Sequence, residues 1–295
     1  MMKQWINWCG KLKFLGLLGL PGLFFDDKIF DIFWLFWLFG LVEIFNNLPV
    51  FVQSIKQFGG MLIIPLRYRS RLPNPNNYVS PIKYSLPFSG DWMVVNGGIE
   101  KAFSHSWSVP TQRYAYDFLI LDENGKSFQG DHQNVSNYYC YSKPILAPAD
   151  GNVVEIGNDS PDSRVAGNGQ IDCAGRDIRG NYLLICHAKA EYSLLAHLQP
   201  GSIGVKVGDT VKRGQIIAYC GNSGNSSEPH LHFHLQNGIS SFYSAGLPIE
   251  FTQLSVKPTP NYSVYDSRPV PALTYQSKNH IARGQTVVNR NDPAQ

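Results

Sequence analysis

An all-β fold, an antiparallel sheet or sandwich over residues 78–256, is predicted by two observations and qualified by a third. After Tyr78, apolar runs of strand length recur between Gly, Asn, Asp and Pro, with no long helical period among them. The 27 Gly and 19 Pro suit a chain with many turns better than a helical bundle. The qualification is at the N-terminus, where the apolar excess is concentrated in two blocks, residues 14–25 and 29–45, that predict membrane-associated helices ahead of the sheet.

The second block, IFDIFWLFWLFGLVEIF, would reach about 25 Å as a helix, near the lower limit for crossing a bilayer. Asp31 and Glu43 stand near its ends, where carboxylates can reach headgroups, and Trp34 and Trp37 lie in a stretch that is apolar all round. The first block, FLGLLGLPGLFF, follows Lys3, Lys11 and Lys13 in the manner of a signal peptide, but no small-x-small cleavage site follows it. Retained attachment to the cell membrane, with lipid as a partner, is the expectation. Lys11, Lys13 and Lys28 precede the second block, so a single span places the following domain on the extracytoplasmic side. A hairpin around Asp26 and Asp27 would keep it inside, an alternative that Arg67, Arg69 and Arg71 support.

The predicted organisation is therefore a membrane-anchoring region over 1–72, a linker (PNPNN) over 73–77, a β domain over 78–256 and a polar tail over 257–295. The strand candidates in order are WMVV, YAYDFLIL, NVVEI, YLLICHA, YSLLAHL, QIIAYC and HLHFHL. Turns are expected at Asp150-Gly151, Gly208-Asp209 and Arg213-Gly214. Two longer excursions, 125–142 and 158–179, are of the kind that shape a cleft on a β scaffold. The tail has one apolar interval, YSVYDSRPVPALTY, which is expected to pack back on the domain before the chain frays.

Charge names no ligand. The balance of 25 Lys plus Arg against 22 Asp plus Glu is too even and dispersed for a nucleic-acid partner. The five cysteines show neither CxxC spacing nor the density of a small disulfide scaffold. Cys186 and Cys220 sit in apolar runs as buried thiols, whereas Cys140 and Cys173 fall in loop-like stretches where a bridge is open.

Chemistry is concentrated in histidine. In the hexamer HLHFHL, His230, His232 and His234 share one face of a strand and Leu231, Phe233 and Leu235 share the other. Same-face neighbours stand about 7 Å apart, so adjacent rungs do not chelate one metal easily; one imidazole can ligate while its neighbour works beside it. Asp117, flanked by apolar residues in YAYDFLIL, needs a cation, a proton or a partner such as Arg113 if buried. His197 in YSLLAHLQPG ends a strand before a turn.

Taken together, QRYAYDF, KPILAPADGNVVEI and the run from GNYLLICHA through AHL to HLHFHL resemble the M23 zinc metallopeptidases of the lysostaphin and LytM type, over residues 100–236. That resemblance implies a duplicated-hybrid-motif fold, one zinc ion and cleavage of peptide bonds in bacterial peptidoglycan. It implies Asp117 and His232 as metal ligands and His197 and His230 as catalytic histidines. The remaining ligand departs from the family's HxxxD pattern, because Arg113 stands four residues before Asp117 and cannot ligate. His105, the nearest histidine upstream, is expected to take that place from a longer loop, with His132 as the substitute. HLHFH also replaces the usual HLHFE, and His234 is expected to be an ordinary polar strand residue.

Two histidines and one carboxylate leave an open position for solvent, the arrangement of a catalytic zinc site. The expected function is a membrane-attached zinc endopeptidase acting on peptidoglycan cross-links or stem peptides. The alternative is an inactive M23-like module that regulates other cell-wall hydrolases, which the Arg113 departure keeps open. A carrier domain with similar Gly-Asp and Arg-Gly turns fits poorly, since Lys212 is not at a carrier hairpin tip.

Overall fold

The computed structural model describes residues 8–25, 28–46, 48–69, 71–166, 177–270 and 280–290. The chain divides into two compact units, Met1–Ile55 and Lys56–Gln295.

In the first unit the apolar blocks form short helical pieces. A 3₁₀ helix, Leu12–Leu23, contains Pro21. It is followed by an α-helix Ile29–Trp34, a 3₁₀ turn Leu35–Leu38 and an α-helix Phe39–Asn46. Glycine permits their close approach: a Cβ on Gly16 would lie 2.7 Å from the Trp37 indole nitrogen, and one on Gly19 would lie 3.1 Å from the Phe30 carbonyl oxygen. The next helix, Leu48–Arg67, is 20 residues long, but Gln53, Ser54, Lys56, Gln57 and two glycines dilute its hydropathy.

Among the described residues, no helix is long and apolar enough to cross a membrane. That finding overturns the expected membrane attachment of the endopeptidase, its lipid partner and its cell-membrane localisation. The fold class changes too: the chain is mixed, with short N-terminal helices ahead of an antiparallel sheet, rather than all-β behind membrane helices. The physical reason is local. The apolar blocks have enough residues to span, but they are divided between 3₁₀ and α-helical pieces of at most 12 residues.

Among the described residues the second unit has twelve strands: β1 Trp92–Asn96, β2 Tyr116–Leu119, β3 Pro144–Leu146, β4 Gly151–Gly157, β5 Asn181–Ala188, β6 Glu191–Leu198, β7 Thr210–Val211, β8 Ile216–Tyr219, β9 Leu231–Gln236, β10 Gly246–Leu247, β11 Leu254–Pro258 and β12 Gln285–Asn289. Ten of them make one sheet in the order β11-β12-β1-β2-β9-β6-β5-β4-β7, with β10 added to β9, while β3 and β8 pair separately. Ladder pairings throughout are antiparallel.

Alternation along the strands sorts the two faces of the large sheet. Phe118, Leu195, Leu231, Phe233 and Leu235 join Ile145 and Ile217 of the small sheet in the main core. On the other face Leu184, Leu194 and Ala196 form a smaller cluster with Tyr182. The stretch expected as a tail supplies β12, which pairs with β1 and therefore belongs to the sheet. Cys140 and Cys220 are buried free thiols, and Cys173 lies outside the described residues.

Candidate functional site

One rung of the sheet builds the centre of the site. Asn96 on β1 is in register with Asp117 on β2, Asp117 with His232 on β9, and His232 with Ala196 on β6. All point away from the main core, onto a face where a cleft of about 440 Å³ is lined by Asn96, His105, Arg179, Asn225, Glu228 and Tyr265 around the Asp117 cluster.

Asp117 is the hub. His232 Nδ1 lies 2.9 Å from its Oδ1, His105 Nδ1 3.5 Å from its Oδ2 and His230 Nε2 3.8 Å from its Oδ1. Asn96 Nδ2 donates to Oδ2 at 3.2 Å, and Arg268 Nη1 donates in turn to Asn96 Oδ1 at 2.8 Å, which orients that amide. Burial alone would raise the Asp117 pKa; the charge of His105 and the hydrogen bond and charge of His232 outweigh it and hold the carboxyl well below the usual range. The group is a buried carboxylate that requires positive partners.

His105 reaches this carboxylate from the loop between β1 and β2, twelve positions before Asp117. Ser104 Oγ donates to the Arg113 carbonyl at 3.0 Å, Gly97 N donates to the Phe103 carbonyl at 3.0 Å, and Arg283 Nη2 holds the Ala102 carbonyl at 2.8 Å. Arg113 is turned elsewhere, stacked over Trp107 with its guanidinium 5.0 Å from the ring centre. His132 does not join the cluster; it stands 3.9 Å from Asp131 and beside the Phe128 ring. His187 and His280 are likewise outside it, held by the carbonyls of Asp150 and Ile249.

His197 arrives by a different device. Leu195 and Leu198 both face the main core although three positions apart, and Ala196 faces the site. The pairing of β5 with β6 shifts register there, and His197 has a left-handed φ of 61°. This bulge turns His197 onto the site face when alternation would bury it in the core. The conformation costs about 1–2 kcal/mol for a residue with a side chain. Three hydrogen bonds hold it: His197 N donates to the Arg179 carbonyl at 3.0 Å, its carbonyl accepts from Gly221 N at 3.1 Å, and its Nδ1 meets the Ser223 carbonyl at 2.8 Å.

A ring nitrogen facing a carbonyl must carry the hydrogen, so His197 is protonated at Nδ1 and offers Nε2. His230 is held the same way, with Nδ1 2.8 Å from the Glu228 carbonyl. Glu228 is itself anchored, accepting from Tyr265 OH and Ser127 Oγ, each at 2.6 Å. The His197 and His230 ring centres are 4.7 Å apart. Desolvation, reinforced by the neighbouring His230 and His232, pushes the His197 pKa well below that of free histidine, and the ring is neutral at pH 7. Burial also lowers His105, against the pull of Asp117.

The donors suit zinc, whose tetrahedral ligands at about 2.0–2.1 Å lie about 3.3 Å from one another. The His232 to Asp117 and His105 to Asp117 separations, 2.9 and 3.5 Å, bracket that edge. Among the described residues, no group of three or more His, Cys, Asp or Glu forms a ready cage; His232 Nδ1 is instead closed onto Asp117 directly. The donor set fits zinc in chemistry, two imidazoles and a carboxylate, with the two separations to Asp117 near a ligand–ligand edge.

Asn96, Arg268, Tyr265, His234 and Gln236 were not singled out as site residues from sequence. His234 and Gln236 continue the polar face of HLHFHLQ, a period-two signal that was present; Asn96 and Arg268 carry no local signal.

Residues 131–243 match Peptidase family M23, a stretch that holds His197, His230 and His232 but neither His105 nor Asp117. An uncharacterized metalloprotease of Haemophilus influenzae is 32% identical over 119 residues, 40% of this chain and 21% of that protein. The glycyl-glycine endopeptidase ALE-1 of Staphylococcus capitis is 31% identical over 138 residues, 47% of this chain and 32% of the relative. Lysostaphin of Staphylococcus simulans is 32% identical over 156 residues, 50% of this chain and 27% of its own length. The chain spans about a fifth to a third of the length of these relatives. Residues 131–243, with the HLH element that leads into β9 and AHL at the end of β6 on one polar sheet face, are the stretch this chain shares with Peptidase family M23.

Proposed function

We propose that the chain is a zinc endopeptidase that hydrolyses peptide bonds of bacterial peptidoglycan, in cross-links or stem peptides. The observation that carries this reading is the convergence of three imidazoles, His105, His230 and His232, within 3.8 Å of the buried Asp117 carboxylate. His105, Asp117 and His232 would hold one zinc ion. Zinc in such a site polarises a peptide carbonyl and makes water nucleophilic at neutral pH.

The chain's own residues move the protons. His197 is kept neutral by burial, and its Nδ1 is committed to the Ser223 carbonyl, so Nε2 is the atom that accepts a proton from the attacking water. His230, its Nδ1 held by the Glu228 carbonyl, presents a second acceptor Nε2 beside the same point, and the imidazole that has taken the proton from water returns it to the leaving amine. Asn96 and Arg268 keep the Asp117 carboxylate oriented. The substrate class comes from the endopeptidase relatives, one of which is named for glycyl-glycine bonds.

The test is incubation of the zinc-loaded full chain with purified peptidoglycan while newly freed amino groups are counted. Release that stops on zinc removal and in His230→Ala is the expected result. Binding to peptidoglycan with no amino groups released would contradict an enzyme and favour a regulatory binding module.

A further inference from the structure

The polar face of β9 continues beyond His232. His234 and Gln236 follow on it, both fully buried. His232 Nε2 lies 2.9 Å from His234 Nδ1, and His234 Nε2 lies 3.0 Å from Gln236 Oε1. Gln236 Nε2 donates to the carbonyls of Gly238 at 2.6 Å and Ile239 at 3.2 Å.

The direction of every bond in this row follows from the last one. Two carbonyl oxygens can be met only by the amide nitrogen, so Gln236 Oε1 faces His234 and accepts. His234 Nε2 then carries a hydrogen and its Nδ1 is the acceptor. His232 must carry its hydrogen on Nε2, which leaves the Nδ1 lone pair aimed at Asp117 Oδ1, 2.9 Å away. Two acceptors at that distance repel unless a cation, whether proton or metal, lies between them.

We infer that His234 and Gln236 are positioning residues that hold His232 in the Nε2–H tautomer and so select Nδ1 as its metal-binding atom. The inference rests on His232 being a zinc ligand in the proposed function. Glutamate at 234 would serve the same purpose, because its carboxylate also accepts from Nε2–H. Outer partners of this type are worth roughly 10- to 100-fold in metal affinity.

The test has two arms, both on the full chain. Nitrogen NMR of imidazole-labelled protein is expected to show His234 with its hydrogen on Nε2, with or without zinc, and His232 protonated at Nε2 alone once zinc is added. A hydrogen on His234 Nδ1 would overturn the inference, and this arm needs no variant that could fail to fold. Zinc competition against a chelator is expected to give roughly 10- to 100-fold weaker binding in His234→Leu and near-unmodified binding in His234→Glu. Equal affinity in both variants and the unmodified chain would overturn the inference while leaving zinc binding intact. Equal weakening in both would reduce His234 to a packing role, which also overturns it. If the unmodified chain took up no zinc, the proposed function would fall, and the tautomer of His234 would decide the relay alone.

Discussion

Asp117 and His232 face each other in register on neighbouring strands, Oδ1 to Nδ1 at 2.9 Å, and the other imidazoles of the site gather around that pair. A neutral isostere is the sharpest probe of the carboxylate. Asp117→Asn is expected to keep the fold, by circular dichroism, and to lose both zinc and peptide hydrolysis. Retention of stoichiometric zinc would mean the charge of Asp117 is not part of the metal site.

His197 and His230 offer Nε2 without belonging to the proposed ligand set. His197→Ala and His230→Ala are each expected to retain zinc while kcat falls by about 10²–10⁴. Metal analysis beside turnover separates the roles, and loss of zinc in either variant would place that histidine among the ligands.

Part of this site was legible in the sequence for a physical reason: strand alternation is local. HLHFHL sorts three histidines from Leu231, Phe233 and Leu235 before any partner strand is known, and those three apolar residues are in the core. Asp117, between Tyr116 and Phe118, is sorted by the same rule. What pairs with a strand is not local. The rung from Asn96 to Ala196 joins four strands from distant stretches of chain, and β12 lies past a stretch that looks like a polar tail. The membrane expectation failed because hydropathy counts apolar residues without registering where the chain passes between short 3₁₀ and α-helical pieces.

The bulge at His197 makes a separate prediction. With φ at 61°, a Cβ is penalised whatever the side chain does. His197→Gly is therefore expected to be more stable than His197→Ala by about 1 kcal/mol in urea unfolding. Equal stability, or greater stability of the alanine variant, would show that the left-handed conformation is not kept.

Stability should also depend on pH through His187, which lies outside the site. Its Nδ1 meets the Asp150 carbonyl at 2.8 Å and its Nε2 meets Ser193 Oγ at 2.7 Å, and desolvation lowers its pKa below 6.5. With the folded pKa below the unfolded one, the unfolded chain binds the extra proton as pH drops through about 6.5, so acid destabilises the fold. His187→Gln is expected to flatten the slope of unfolding free energy just below pH 6.5, by at most about 1.4 kcal/mol per pH unit. An unchanged slope would assign that acid sensitivity to other groups.

The most direct test of the whole account is the zinc stoichiometry of the purified full chain after dialysis. One equivalent is expected in the unmodified chain and in His132→Ala, and none in His105→Ala or His232→Ala. No zinc in the unmodified chain, or zinc kept in His105→Ala and lost in His132→Ala, would contradict it.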